Sequence, residues 1–403
     1  MTGIFEGINV LDFCWVAVGP MTTRYFSDFG ATVVRVESQN RPDVIRSGLP
    51  FADGRAGVNR SGYWVNYNGG KLGLTLNMAH PDARQVAFEL ATGWADVVAE
   101  NFTPGTLEKW GLGYEEVAKA NPGVVMFSAS MMGRGGPYAS QPGFGPVLTA
   151  ISGHTHFTGW PDRIPVSPYG AYTDFVIPHL AVAAIIGALD QRRETGQGQH
   201  LDLSQLEASL QFLAPAILDY TVNGRVGGRD GNRDPAMAPH GAYPCAGNER
   251  WCAIACATDE QWASLAALMG QADLIGDQRF ASLRARKSNE DALDQIVGAW
   301  TVRRKAQEVM ALCQNEGIPA GVVETCEDLF ADPQLRERDH FAIIAHPEMG
   351  NYSTEANCFR LSETRPDYRR APLLGEHTEY VLRQLLGMSQ ERFDALAGDR
   401  ALD

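Results

Sequence analysis

The feature that most constrains this chain is the alternation of short β-branched runs with helix-like stretches in its first 130 residues. "INVLDF" is a compact apolar run, "VGPMTTRYFSDFG" reads as a turn and a helix, and "ATVVRVES" is a second strand. The pattern continues as "HPDARQVAFELATGW" (helix), "ADVVAENF" (strand), "TLEKWGLGYEEVAKAN" (helix) and "GVVMFSAS" (strand). Strand, helix, strand spacing of this length predicts parallel βαβ units with right-handed crossovers, hence an α/β fold. Each strand ends in polar or small residues, the end at which open α/β sheets collect ligands.

Further along, "DFVIPHLAVAAIIGALDQRRETGQGQHLDLS" predicts a long apolar helix with a basic last turn and a glycine stop, followed by a strand. The segment "NGRVGGRDGNRDPAMAPHGAYP" lacks apolar periodicity and marks a linker or mobile loop, with a domain boundary near residue 225. In "WCAIACA" the residues Cys252, Ile254 and Cys256 alternate as strand residues on one face do. From "DPQLRERDHFAIIAHPEMG" onward the sequence reads as irregular, with a closing helix in "EHTEYVLRQLLG".

The balance of 34 basic and 48 acidic residues, net −14, argues against nucleic-acid binding, which needs a basic stripe. The seven scattered cysteines show no C-x-x-C spacing, so reduced, mostly buried thiols are expected. No signal peptide is visible at "MTGIFEGINVLDF", and no uninterrupted apolar run approaches the roughly 20 residues of a membrane span. The expectation is a soluble, cytoplasmic protein.

Several residues are candidate sites by their chemistry. Glu37 at the end of the second strand suits a dinucleotide ribose, but G-x-G-x-x-G is missing and only Gly19 stands in the first turn; a solvated strand end is the simpler reading. His154 and His156 lie two apart without a third metal ligand, and Cys14 has no adjacent base. G-x-S-x-G is absent. Asp174, in "GAYTDFVIPHL", has two readings that composition leaves open. It suits a helix N-cap, with Pro178 tolerated in the first turn, and it suits an ionised nucleophile for an activated acyl group.

In combination these motifs resemble the class III CoA-transferases, the CaiB/BaiF family, along essentially the whole chain. The matching pieces are "GINVLDFCWVAVGPMTTRYFSDFGATVVRVES", "ADVVAENFTPGTLEKWGLGYEEV", "NPGVVMFSASMMGRGGPY", "RRETGQGQHLDLSQLEA", "EGIPAGVVETCEDLFADPQL" and "APLLGEHTEYVL", in the family's order. The resemblance implies coenzyme A or acyl-CoA as substrate, with no metal, nicotinamide or flavin. It makes Asp174 the nucleophile and places Val16, Lys71, Asn101, Phe102 and Lys109 against the CoA. Its "YTDF" variant is similar to a subgroup acting on aromatic or alkyl-substituted succinates, the benzylsuccinate CoA-transferases among them. Departures are Thr173 for the usual glycine, "NGGKLG" for "NRxKRS", and "ENFTPG" for "ENFRPG".

The same fold serves α-methylacyl-CoA racemases, which need a His and an Asp as two bases. Phe144 and Gly145 stand where those enzymes carry the histidine and its neighbour, so transfer is preferred to racemisation. A silent partner subunit of a hetero-oligomer is the remaining alternative. The resemblance further implies a large Rossmann-like domain from both chain ends (1–225 and 331–403), a smaller α+β domain over 226–330, and an interlocked ring-shaped dimer of like or paralogous subunits. The glycine-rich stretch near 223–234 is either a lid over the anhydride or a plain linker.

Overall fold

A computed structural model describes residues 3–403. Packing divides the chain into two compact units. One comprises residues up to Thr155, Ser167–Val226 and Glu337–Asp403; the other comprises His156–Val166 and Gly227–Arg336.

The first unit is built on six parallel strands: β1 Asn9–Asp12, β2 Thr32–Glu37, β3 Leu72–Thr75, β4 Val97–Glu100, β5 Val125–Ser130 and β6 His200–Ser204. Their order across the sheet is β3-β2-β1-β4-β5-β6. This is the doubly wound order, which reverses direction between β1 and β4. Strand β3 follows Lys71 directly, in a segment to which the sequence reading assigns no strand.

Alternation along the strands divides the core between two faces. Leu11, Val34, Val98 and Met126 face one side and pack with helix residues Val86 and Leu90 and with Val381, Leu382 and Leu396 from the C-terminal end. Their neighbours Val10, Val33, Val97 and Val125 face the other side, with Phe26, Ile177, Ala181 and Ile185. The principal helices are α1 Val18–Asp28, α2 Pro81–Gly93, α3 Gly145–Ile151, α4 Tyr172–Thr195 and α5 Ala214–Asn223.

By length and composition α4 could cross a membrane (24 residues, hydropathy 1.6), although no uninterrupted apolar run suggested it. Here its Ile177, Ala181, Ile185 and Ala188 stripe lies in the sheet's core. It ends as expected, with Arg192 and Arg193 in the last turn and Gly196 in the left-handed conformation. The segment "TLEKWGLGYEEVAKAN" forms two short helices rather than one, because Gly111 turns the chain at φ +74°. The stretch expected to be irregular holds an antiparallel hairpin, Phe341–His346 with Gly350–Glu355, closed over only three residues.

The second unit contains a three-stranded antiparallel sheet, His240–Pro244, Trp251–Ala255 and Ala320–Val323, in that order. Cys252, Ile254 and Cys256 point into its core together, beside Trp262, Leu265 and Val297.

Candidate active site

Reversal of strand order leaves a crevice beyond the carboxyl ends of β1 and β4, because the connections there run to opposite faces. The chain leaving β1 is held tightly at this point. Trp15 donates its backbone N–H to the Asn101 side-chain oxygen at 2.6 Å, and the Asn101 amide donates back to the Trp15 carbonyl at 2.8 Å. Val16 has φ +66°, a left-handed conformation costing a β-branched residue about 1–2 kcal/mol. Its N–H reaches both carboxylate oxygens of Asp43, at 3.0 and 3.3 Å. Helix α1 begins immediately afterwards with Ala17 as its N-cap residue and no capping side chain.

Asp174 approaches the same crevice from α4. The helix begins at Tyr172, so Asp174 is inside its first turn rather than at the N-cap, and no side chain caps the helix. The capping reading is thus corrected. For the same reason Pro178 lies deeper than the first turn. Having no N–H, it cannot donate the helical bond that Asp174's carbonyl would accept from four residues on.

The Asp174 carboxyl lines a cavity of about 300 Å³ together with Trp15, Val16, Asn101, Phe102 and Gln205. It is only 9% exposed. Burial alone pushes its pKa up to about 6, with no charged group of the described residues contributing. A carboxylate so placed is ionised at neutral pH yet poorly solvated, which raises its reactivity toward an acyl carbon.

One wall of the cavity is bare backbone. A Cβ on Gly145, at the start of α3, would lie 2.5 Å from the Asp174 Oδ2 and 2.3 Å from the Ala171 Cβ. Gly145→Ala is therefore expected to displace the carboxyl and lower turnover by about a hundredfold, with a modest fall in Tm; steady-state kinetics beside a melting curve checks both. Thr173, the departure from the family's glycine, is fully buried and shares a 3.2 Å hydrogen bond with Thr149. It ties α4 to α3, so a packing role accounts for the "YTDF" variant without reference to an acceptor.

A second cavity, about 430 Å³, adjoins the first through Trp15 and Phe102. Its aromatic wall is Trp15, Phe102 and Trp110, with edge-on contacts at 5.8 and 5.6 Å between successive ring centres. Arg41 and Arg84 line it as well. Sequence reading missed both arginines. The position of Arg41 just beyond the carboxyl end of β2 was the available signal.

The predicted site residues thus separate. Asp174, Val16, Asn101 and Phe102 share one cavity. Lys109 is exposed and lines neither cavity. Lys71 is corrected outright. Its side chain is fully buried, and its ammonium donates to Asp12 Oδ2 (2.9 Å), the Pro20 carbonyl (2.9 Å) and Asn68 Oδ1 (3.0 Å), which uses all three N–H groups. Burial pulls its pKa down against the opposing pull of Asp12.

Glu37 is likewise not a solvated strand end. It is buried and binds Arg46 through two hydrogen bonds of 2.8 and 2.7 Å. Cys14 is fully buried, and burial raises its thiol pKa well above the ordinary value, so it is no nucleophile. His154 shares a 3.1 Å hydrogen bond with Ser152. Among the described residues no cluster of His, Cys, Asp or Glu is arranged to hold a metal ion.

Comparison with known proteins gives a consistent picture. The profile of CoA-transferase family III matches residues 5–378. Succinyl-CoA–D-citramalate CoA-transferase of Chloroflexus aurantiacus is 32% identical over 98% of either chain. The β subunit of succinyl-CoA–L-malate CoA-transferase from the same organism is 32% identical over 98% of this chain and 97% of its own. A CAIB/BAIF family protein from Brucella suis superposes with a TM-score of 0.87 at 30% identity, over 96% of this chain and all of that one. With its doubly wound sheet and a match of this extent, the chain belongs to CoA-transferase family III.

Proposed function

We propose that this CoA-transferase moves CoA from succinyl-CoA to a carboxylic acid, with Asp174 as the covalent nucleophile. The observation that carries the proposal is the desolvated, uncompensated Asp174 carboxylate at the switch-point cavity. Its oxygen attacks the thioester carbonyl, the C–S bond breaks, and CoA thiolate leaves a mixed anhydride. The thiolate then attacks the aspartyl carbonyl, releasing the donor acid and leaving an aspartyl-CoA thioester. The acceptor carboxylate repeats both steps in reverse, and the energy of the thioester is conserved throughout.

Negative charge develops on the carbonyl oxygen in each attack. The uncapped start of α1, at Ala17 and Val18 in the same cavity, supplies N–H groups and the positive end of a helix dipole to meet it. The aromatic cavity beside it suits adenine, with Arg41 available to the phosphates and Arg84, which already donates to the Met78 and Ala79 carbonyls, offering its remaining N–H groups. These two arginines take the place in the proposal that Lys71 held.

The acceptor is proposed to be a substituted succinate. Citramalate and malate, named in the two relatives, are succinates bearing a hydroxyl and, in citramalate, also a methyl group. Met131, Phe144 and Leu148 give the cavity an apolar side that suits a hydrocarbon substituent. A racemase needs a second base facing Asp174, and the cavity's lining supplies no histidine. A dimer, of like or paralogous subunits, is part of the proposal. No residue of α5 is buried in this chain, and its Leu218, Tyr220 and Val222 are 60%, 60% and 76% exposed, an apolar surface for a partner to cover.

The test is mass spectrometry of the Asp174 peptide after incubation with succinyl-CoA and rapid quenching. The expected product is that peptide carrying CoA as a thioester. Turnover should fall about tenfold per pH unit below pH ~6, because only ionised Asp174 attacks. An adduct elsewhere, or a flat profile down to pH 4.5, overturns the assignment.

A further inference from the structure

The buried carboxylate of Asp43 lies beside the reaction cavity without lining it. Its oxygens accept from three groups: the Val16 N–H on both, the Ile45 N–H on Oδ1 at 3.1 Å, and Arg35 Nη2 on Oδ2 at 2.8 Å, the Arg35 side chain being fully buried as well. The Asp43 N–H in turn donates to Glu37, which Arg46 holds from the other side. A charged network therefore ends on one backbone N–H, and that N–H belongs to a residue in the left-handed conformation.

A β-branched side chain leaves that conformation readily unless its surroundings over-determine it. Two clamps do so here: Asn101 closes on Trp15 from both sides, and Asp43 takes the next N–H. If Val16 relaxed to an extended conformation, the chain direction into α1 would change, and with it the aim of the uncapped N–H groups at Ala17 and Val18.

We propose that Asp43 is a positioning residue for the transfer: by accepting the Val16 N–H it holds the left-handed turn that aims the start of α1 at Asp174. The proposal rests on the reading of Asp174 given above. It treats the ion pair with Arg35 as the anchor that keeps the Asp43 carboxylate charged and fixed, rather than as an end in itself. Asp43 also caps the short turn at Val44–Ser47 through Ile45, so a purely structural role is the competing account.

A double-mutant cycle separates the two accounts. Glycine adopts positive φ without penalty, so Val16→Gly makes the left-handed turn intrinsic and removes its dependence on Asp43. Asp43→Asn is expected to lower kcat by about tenfold to a hundredfold while KM for succinyl-CoA changes by less than about threefold. Deuterium exchange should quicken in the peptide spanning Trp15–Val18. In the V16G background the same D43N change should lower kcat by no more than about threefold. Equal losses in the two backgrounds, or an unchanged kcat and exchange rate in D43N, overturn the proposal.

Should D43N fail to fold, the R35Q/D43N pair, which leaves no guanidinium stranded, is measured instead with the same readouts. If the wild-type protein forms no aspartyl-CoA, the reading of Asp174 fails. The exchange rate at Trp15–Val18 still decides whether Asp43 holds the turn.

Discussion

Asp174→Asn is expected to lower CoA transfer by roughly a thousandfold or more and, at the same time, to make the folded protein more stable at neutral pH. The first effect follows from chemistry: an amide cannot form the anhydride, so the aspartyl-CoA adduct disappears. The second follows from burial. The carboxyl titrates at about 6 in the folded chain against a reference of 3.8, which at pH 7 amounts to about 3 kcal/mol of destabilisation.

The neutral amide escapes that penalty but adds a smaller one for its own burial, leaving a net gain of about 1–2 kcal/mol. The sign is fixed by the direction of the shift. A raised carboxylate pKa stabilises the fold fully below 3.8 and loses that contribution as pH rises through 6. The advantage of D174N should therefore be complete at pH 7 and vanish near pH 4. Melting curves across that range, run beside the transfer assay, test both halves. A variant that loses activity and also loses stability at pH 7 would mean that Asp174 serves the fold.

Lys71→Met is expected to cost about 3–5 kcal/mol of stability and to leave acyl-CoA affinity unchanged within about twofold in whatever protein remains folded. Lys71 and Asp12 are both fully buried, and Asp12 also accepts from the Thr23 hydroxyl (2.7 Å) and the Cys14 N–H (2.9 Å) at the end of β1. Removing the ammonium strands a carboxylate in the interior, softened by the nearby charge of Arg35 and by its two remaining hydrogen bonds. The paired substitution D12N/K71M should recover most of the loss, because neutral groups need no counter-charge. Thermal melts of the three variants, with CoA titration, distinguish this from direct ligand contact. A K71M protein that melts normally but binds CoA tenfold more weakly would restore Lys71 to the site.

What could be read from the sequence was whatever depends on periodicity or on local backbone chemistry. The strands of the parallel sheet declare themselves because burial on both faces makes them continuous apolar runs, and α4 ends where its arginines and Gly196 require. Strand β3 is four residues with a central glycine, and in the late hairpin the apolar Phe341–His346 pairs with the polar Gly350–Glu355, whose own sequence carries little apolar signal. The site was legible only in part. Val16, Asn101 and Phe102 follow strand ends, which local order reveals. Lys71 was misjudged because its partner Asp12 lies 59 residues away, a pairing that only the tertiary fold creates. The capping reading of Asp174 failed over three residues, the distance from the actual N-cap, Ala171, to Asp174.

Gly145 leaves the neighbourhood of the Asp174 carboxyl with nothing to vary on that side. Where the nearest surface is main chain, natural or laboratory diversification has no side chain to exchange without filling the reacting space itself. Changes in acceptor preference must then be written on the cavity's apolar side chains, where Phe144 is 67% exposed and Met131 can repack. Libraries randomised at those two positions are where new acids should first be accommodated.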